Sequence, residues 1–167
     1  ILNISETAVD TAFYTNDYNV SNPSLSCIDF NNDGFLDFLI TGEDTDLSGE
    51  IYTRLYKNNG DNTFTNLANH GITPTGQASM DWADFNNDGY YDLLIAGFAE
   101  DFSTENVTDV LINNGNETFS KLGGDFYKVF NGTSKWIDIN NDGDLDIIST
   151  GGGNDGYRMS IYLNNEG

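Results

Sequence analysis

The stretch CIDFNNDGFLDFLITG at 27–42 returns as WADFNNDGYYDLLIAG at 82–97 and again as WIDINNDGDLDIISTG at 136–151. Its first aspartates, Asp29, Asp84 and Asp138, stand 55 and 54 residues apart. A second motif keeps the same phase. LYKNNGDNTFTNL (55–67) matches VLINNGNETFSKL (110–122), and IYLNNEG (161–167) opens a third copy. Two motifs in constant order and spacing define a repeat of about 55 residues. The chain divides into a segment 1–23 and repeats at 24–78, 79–132 and 133–167, the last without its final strand. Within the first segment, Ile1–Val9 reads as the last strand of a preceding unit.

The elements of each repeat read as strands. Ser79–Ala83 precedes one loop, and the apolar runs Phe38-Leu39-Ile40, Leu93-Leu94-Ile95 and Ile147-Ile148 follow the three loops. Short apolar runs bounded by Gly and Asn fit buried strands better than helices. Gly42, Gly97 and Gly151 are expected to end them. The Asn-Gly pairs at 59–60 and 114–115 predict tight hairpin turns with positive φ. Thr63-Phe64-Thr65 and Thr118-Phe119-Ser120 then supply return strands. The expected fold is all-β, built of four-stranded antiparallel units of the size of a β-propeller blade. Three units fall short of the four to eight of a closed ring. The expectation is a part of a larger propeller, with a ring completed by another copy as the alternative.

Inside the loop, oxygen-bearing side chains recur at positions 1, 3, 5 and 9. They are Asp29, Asn31, Asp33 and Asp37, then Asp84, Asn86, Asp88 and Asp92, then Asp138, Asn140, Asp142 and Asp146. Position 6 is always glycine (Gly34, Gly89, Gly143), which lets the chain turn where a Cβ would clash. Position 7 (Phe35, Tyr90, Asp144) is expected to turn its carbonyl inward and leave its side chain free to vary. Calcium takes six to eight oxygens, and such a loop offers them. The expectation is about three Ca²⁺, one per repeat. The loop is not an EF-hand: position 12 is Ile40, Ile95 or Ser149, none a chelating carboxylate. Magnesium, which prefers fewer protein ligands in a rigid octahedron, suits it less. A plain acidic turn needs only one or two such residues.

Composition agrees. With 27 Asp+Glu against 6 Lys+Arg the chain carries a net charge of -21. That excludes non-specific nucleic-acid binding, which needs cations on the protein, and disfavours anionic membranes. At 38% hydrophobic and 13% aromatic, the acidity does not mean disorder. Three doubly charged calcium ions would bring -21 to -15. No apolar run reaches transmembrane length and no signal peptide is visible. The opening Ile1-Leu2-Asn3 reads as a mature or trimmed piece. Cys27 is expected as a lone buried thiol. Five glycosylation sequons start at Asn3, Asn19, Asn106, Asn116 and Asn131.

On the Asp-x-Asn-x-Asp-Gly-x-x-Asp loops and the downstream Asn-Asn-Gly…Thr-Phe, the chain resembles the FG-GAP/VCBS repeat family of integrin α-subunit propellers and secreted bacterial proteins. The resemblance spans about 24–167. It implies a propeller, commonly seven-bladed, with the loop between the first two strands of a blade and the residues above as calcium ligands. Cys27 departs from the Trp found at 82 and 136.

For function, the expectation is an extracellular or cell-surface module that binds protein or carbohydrate without catalysis, its calcium loops suited to millimolar Ca²⁺. A structural repeat of a surface protein or filament is one alternative, and a propeller-type polysaccharide lyase or hydrolase another. The catalytic alternative has little to build on. His70, the lone histidine, reads as a surface loop residue; the basic residues are scattered; no Gly-x-Ser-x-Gly occurs. Glu43, Asp44, Asp46, Glu100 and Asp101 read as solvated loop acids. Tyr14, Tyr18, Tyr52, Phe98, Phe102, Phe126, Tyr127 and Tyr157 read mostly as core between units.

Overall fold

A computed structural model describes residues 20–44, 50–99, 106–153 and 155–165. The strand expected at Ile1–Val9, the aromatics Tyr14, Tyr18 and Phe102, and the acids Asp46, Glu100 and Asp101 lie outside these residues.

The repeat becomes three antiparallel sheets, with no helix among the described residues. The first joins β1 (Val20–Ile28), β2 (Asp37–Asp44), β3 (Glu50–Asn58) and β4 (Phe64–Leu67) in sequence order. The second joins β5 (Gly76–Ala83), β6 (Asp92–Phe98), β7 (Asn106–Asn113) and β8 (Phe119–Lys121) in the same way. The third has β9 (Phe130–Ile137), β10 (Asp146–Gly153) and β11 (Gly156–Tyr162). Each is a blade-like meander, with three strands in the third sheet among the described residues.

The sheets stack in chain order. β1 packs on β5 and β5 on β9, with no comparable contact between the first and third sheets, so the described residues close no ring. Period-two alternation sends each strand's side chains to two faces. On the first sheet Leu39 and Leu55 point toward the second, where they meet Leu93, Ile95, Leu111 and Phe119 around Phe30 and Ile72. The other face of the second sheet carries Leu94 and Val110, which pack with Ile147 and Trp136 of the third. Sandwiched on both sides, β6 is buried from Asp92 to Gly97. Burying each of Leu93, Leu94 and Ile95 completely stabilises by about 1.5–3 kcal/mol. Ring contacts finish the seams: Phe85 stacks on Trp136 at 4.9 Å and Phe98 on Phe130 at 5.4 Å.

Several local expectations change. β2, β6 and β10 run past Gly42, Gly97 and Gly151, so these glycines do not end strands. Instead they sit beside the irregularities at which β1, β5 and β9 shift register. A Cβ on Gly97 would lie 2.4 Å from the Gly76 carbonyl oxygen, so the glycine marks a close backbone approach. The Asn-Gly hairpins are not two-residue turns. Asn58 pairs with Phe64 and Asn113 with Phe119, leaving five residues between, closed by Asn59 N–H to Thr63 O (3.0 Å) and Asn114 N–H to Thr118 O (2.9 Å). The side chains of Asn58 and Asp61 accept from Gly60 N–H and Thr63 N–H and fix the longer turn. Cys27 is exposed, not buried.

Candidate metal centre

The three acidic loops join β1 to β2, β5 to β6 and β9 to β10, and they share one backbone shape. Position 4 is an asparagine with φ 58° in every copy (Asn32, Asn87, Asn141). Position 6 is glycine with φ 90°, 91° and 95°, a conformation that only glycine adopts cheaply. The turn brings positions 1, 3 and 5 together. Asp29 accepts from Asp33 N–H at Oδ1 (3.0 Å) and from Gly34 N–H at Oδ2 (2.9 Å). Asn31 accepts from the same Asp33 N–H (3.1 Å) and donates through Nδ2 to Asp33 Oδ2 (2.9 Å). Asp33 Oδ1 takes the Phe35 N–H (3.0 Å). The same five bonds recur on Asp84, Asn86 and Asp88 and on Asp138, Asn140 and Asp142.

Position 9 behaves differently. Asp37, Asp92 and Asp146 open the second strand of each sheet and are all but fully buried. Asp37 accepts from Phe30 N–H (3.2 Å) and from Asn58 N–H at the end of β3 (2.8 Å). Asp92 does so from Phe85 (3.0 Å) and Asn113 (2.8 Å), and Asp146 from Ile139 (3.0 Å) and Asn164 (2.8 Å). The closing carboxylate is thus a brace between its loop and the third strand. Sequence reading missed that role. Its signal was the constant 21-residue step from Asp37 to Asn58 and from Asp92 to Asn113.

Burial pushes the Asp37 carboxyl up to about 6, against the two N–H donors that favour its charge, and Asp33 and Asp29 add repulsion. Asp92 is raised for the same first reason, with repulsion from Asp88. These acids therefore feel one another. Lys57, paired with Glu117, also feels Asp33 and Asp37 of the first loop, whereas the pairs Lys121–Asp109 and Lys135–Asp81 contain no loop carboxylate.

As the side chains stand, no three Asp, Glu, His or Cys groups among the described residues form a cluster that would hold a metal ion. The carboxylates are turned to the loop's own N–H groups. The donor chemistry still fits a hard cation: each oxygen that accepts one N–H keeps another lone pair, and every donor is oxygen. At position 7 the side chain is not idle. The Phe35 ring lies against Gly60, where a Cβ would come within 2.6 Å of it, and Tyr90 lies likewise against Gly115. Adjacent loops are also tied together, by Asn32 Nδ2 to the Gly89 carbonyl (2.7 Å) and Asn113 Nδ2 to the Phe30 carbonyl (2.8 Å).

Two residues weighed for catalysis have structural roles. His70 is buried, not a surface residue. Its Nδ1 accepts from Ile72 N–H (3.1 Å), so Nε2 carries the proton toward the Thr53 carbonyl (3.3 Å). Burial lowers its pKa, and the neutral ring latches the linker onto β3. Glu43 is a buried residue of β2, not a solvated loop acid, and it accepts from Ser21, Asn22 and Gln77. Away from the loops, a cleft of about 560 Å³ runs between 125–128 and β11. There Arg158 lies over the Tyr127 ring and Phe126 meets Tyr162 edge-on.

Fold and loops together define a protein of repeated blade-like β-sheets. Within it, residues 29–95, from the first acidic loop through most of β6, match the family model of the FG-GAP-like repeat. No curated protein and no solved structure matches the chain.

Proposed function

We propose that this chain is a calcium-stabilised, extracellular β-propeller-type module that binds protein or carbohydrate and catalyses nothing. One observation carries the calcium reading. Three loops of one backbone shape each carry aspartates at positions 1, 5 and 9 and an asparagine at position 3, and none of the ion pairs above includes one of those carboxylates. Asp29, Asn31 and Asp33, with their counterparts in the other loops, would hold the ion, joined by Asp37, Asp92 and Asp146 through their free lone pairs and by the position-7 carbonyl. Bound calcium would supply the positive charge that lets the loop acids sit together, and no open coordination site for chemistry is implied.

The binding reading draws on what surrounds the loops. Leu36 and Tyr91 are exposed at their tips, and the 125–128 cleft offers aromatic faces beside a guanidinium, a surface suited to sugar rings or to a peptide. Extracellular millimolar calcium would keep weak loops filled.

Isothermal titration of the chelator-treated chain with CaCl₂ tests the central claim. The expected result is up to three ions bound. At tenfold the Kd, each site adds about 1.4 kcal/mol, about 4 in all. That raises the melting temperature by about 10 °C. No binding heat and an unchanged melt would end the calcium reading.

A further inference from the structure

We propose that Asn131 is a site of self-modification, where the chain converts its own carboxamide to an isoaspartyl or aspartyl acid, while the other Asn-Gly pairs are held against the same reaction. The chemistry needs no enzyme. The main-chain nitrogen of the residue after an asparagine attacks the side-chain Cγ. A C–N bond forms, and Nδ2 leaves as ammonia with the proton of that nitrogen. Water then opens the succinimide ring at either carbonyl, leaving a carboxylate and no change of oxidation state. A following glycine hinders the attack least, because no side chain shields its nitrogen. The chain has three such pairs, Asn59-Gly60, Asn114-Gly115 and Asn131-Gly132.

Two of the three are clamped. Asn59 donates from Nδ2 to Thr63 Oγ1 (2.8 Å) and accepts at Oδ1 from Thr65 Oγ1 (3.0 Å). Asn114 repeats this with Thr118 (2.9 Å) and Ser120 (3.1 Å). The attacking nitrogens are engaged as well: Gly60 N–H donates to Asn58 Oδ1 (2.9 Å) and Gly115 N–H to Asn113 Oδ1 (3.0 Å). Ring closure in either hairpin has to break these bonds first. All three asparagines are exposed, so exposure does not separate them.

Asn131 has no such hold. It sits in β9 with φ 46°, in the bulge where Asn131 and Gly132 together face Gly151. The repeat explains what is missing. Asn22 and Gln77 occupy the same position in the first two sheets, with φ 49° and 48°, and both give their side-chain amides to Glu43. The residues that stand where Glu43 stands, six after the closing aspartate, are Phe98 in the second sheet and Gly152 in the third. Neither has a side-chain acceptor, and among the described residues the Asn131 amide makes no hydrogen bond. Pro23 and Ala78 follow the first two bulge residues, whereas a Cβ on Gly132 would run into the Thr150 carbonyl oxygen. Close packing of β9 on β10 thus requires a glycine beside the one bulge residue whose amide is unheld. The isoaspartyl product lengthens the β9 backbone by a methylene next to Phe130, which pairs with Gly152 and stacks on Phe98, so conversion loosens the seam between the second and third sheets.

Incubation of the folded chain at mildly alkaline pH, with digestion and tandem mass spectrometry of samples taken over time, tests this. Asn131 is expected to show the amide-to-acid mass gain first, about tenfold or more ahead of Asn59 and Asn114, since each of those must break its bonds before the ring can close. In urea the three rates are expected to converge. Thr63→Val with Thr65→Val frees the Asn59 amide and should bring its rate toward that of Asn131. Asn131→Gly keeps the positive φ and has nothing to cyclise, so its melting temperature should hold on ageing while that of the wild type falls. A folded chain in which Asn131 stays intact, or converts no faster than Asn59 or Asn114, overturns the proposal. So does a rate difference that persists in urea, an Asn59 rate that the threonine substitutions leave unchanged, or an aged Asn131→Gly chain that loses as much melting temperature as the wild type.

Discussion

Asp92→Ala separates the brace from the metal ligands. The side chain has no exposed surface and receives Phe85 N–H and Asn113 N–H. Alanine leaves both donors without an acceptor. A buried unpaired donor costs about 1–3 kcal/mol, and the half-buried Phe85 falls at the low end because water reaches it. Removing a carboxylate that burial already disfavours gives part of this back. A net loss of about 2–4 kcal/mol lowers the melting temperature by about 4–16 °C for a chain of this size. Asp84→Ala deletes two bonds as well, but to N–H groups at the exposed loop tip, and without calcium it is expected to cost less than about 1 kcal/mol. Thermal unfolding followed by circular dichroism in excess chelator gives the comparison. With calcium restored, Asp84→Ala should lose a ligand and fall behind the wild type. An Asp92→Ala melt within about 2 °C of wild type in chelator would refute the brace, as would equal losses for the two variants.

Neutral His70 makes stability depend on pH. Its folded pKa lies below the ordinary 6.5, so the unfolded chain takes up the proton first. The contribution is complete above about 6.5 and is lost as pH falls through the folded value. His70→Asn keeps an acceptor for Ile72 N–H, and the gap in urea midpoint between variant and wild type should change below pH 6.5 and stay constant above it. A gap that is flat with pH contradicts the buried neutral ring. The two tryptophans should respond differently to phenylalanine. Trp82 Nε1 donates to Ser26 Oγ (2.9 Å), whereas Trp136 Nε1 is buried without a partner. Trp82→Phe is expected to cost about 0.5–1.5 kcal/mol more than Trp136→Phe in urea unfolding, and the reverse order would show the hydrogen-bond assignment to be wrong.

What was legible in the sequence was what is local. The loops could be read because their bonds span two to five residues, from Asp29 to Gly34 and from Asp33 to Phe35. The strands could be read because Leu93-Leu94-Ile95 is bounded by turn residues. Properties set by the neighbouring sheet could not be read. His70 looks like a surface histidine between Asn69 and Gly71, yet Phe119 donates to its carbonyl (2.8 Å) and β3 lies beneath its ring. Gly97 looks like a strand end because glycine weakens strands. It is there because Gly76 comes too close for any Cβ. The hairpins were misjudged for a related reason. Asn-Gly signals positive φ correctly, with Gly60 at 76° and Gly115 at 68°, but Asp61 and Asn116 extend the turn by capturing Thr63 and Thr118.

The division within each loop bears on how calcium would act. Positions 1, 3 and 5 are bonded only within the tip, while position 9 is buried by the sheets and satisfied by two backbone donors. Strand pairing and the Leu93–Leu55 core involve no carboxylate of positions 1 and 5. The sheets should therefore form without the ion, and calcium should act on the loop tips, relieving repulsion among acids already held near one another. Because Asn32 ties the first loop to the Gly89 carbonyl of the second, an ion in one loop should also stiffen its neighbour. Adding chelator is then expected to leave the far-ultraviolet strand signal in place while the melt falls. Loss of that signal would mean that the ion, not the buried aspartate, holds the blade together.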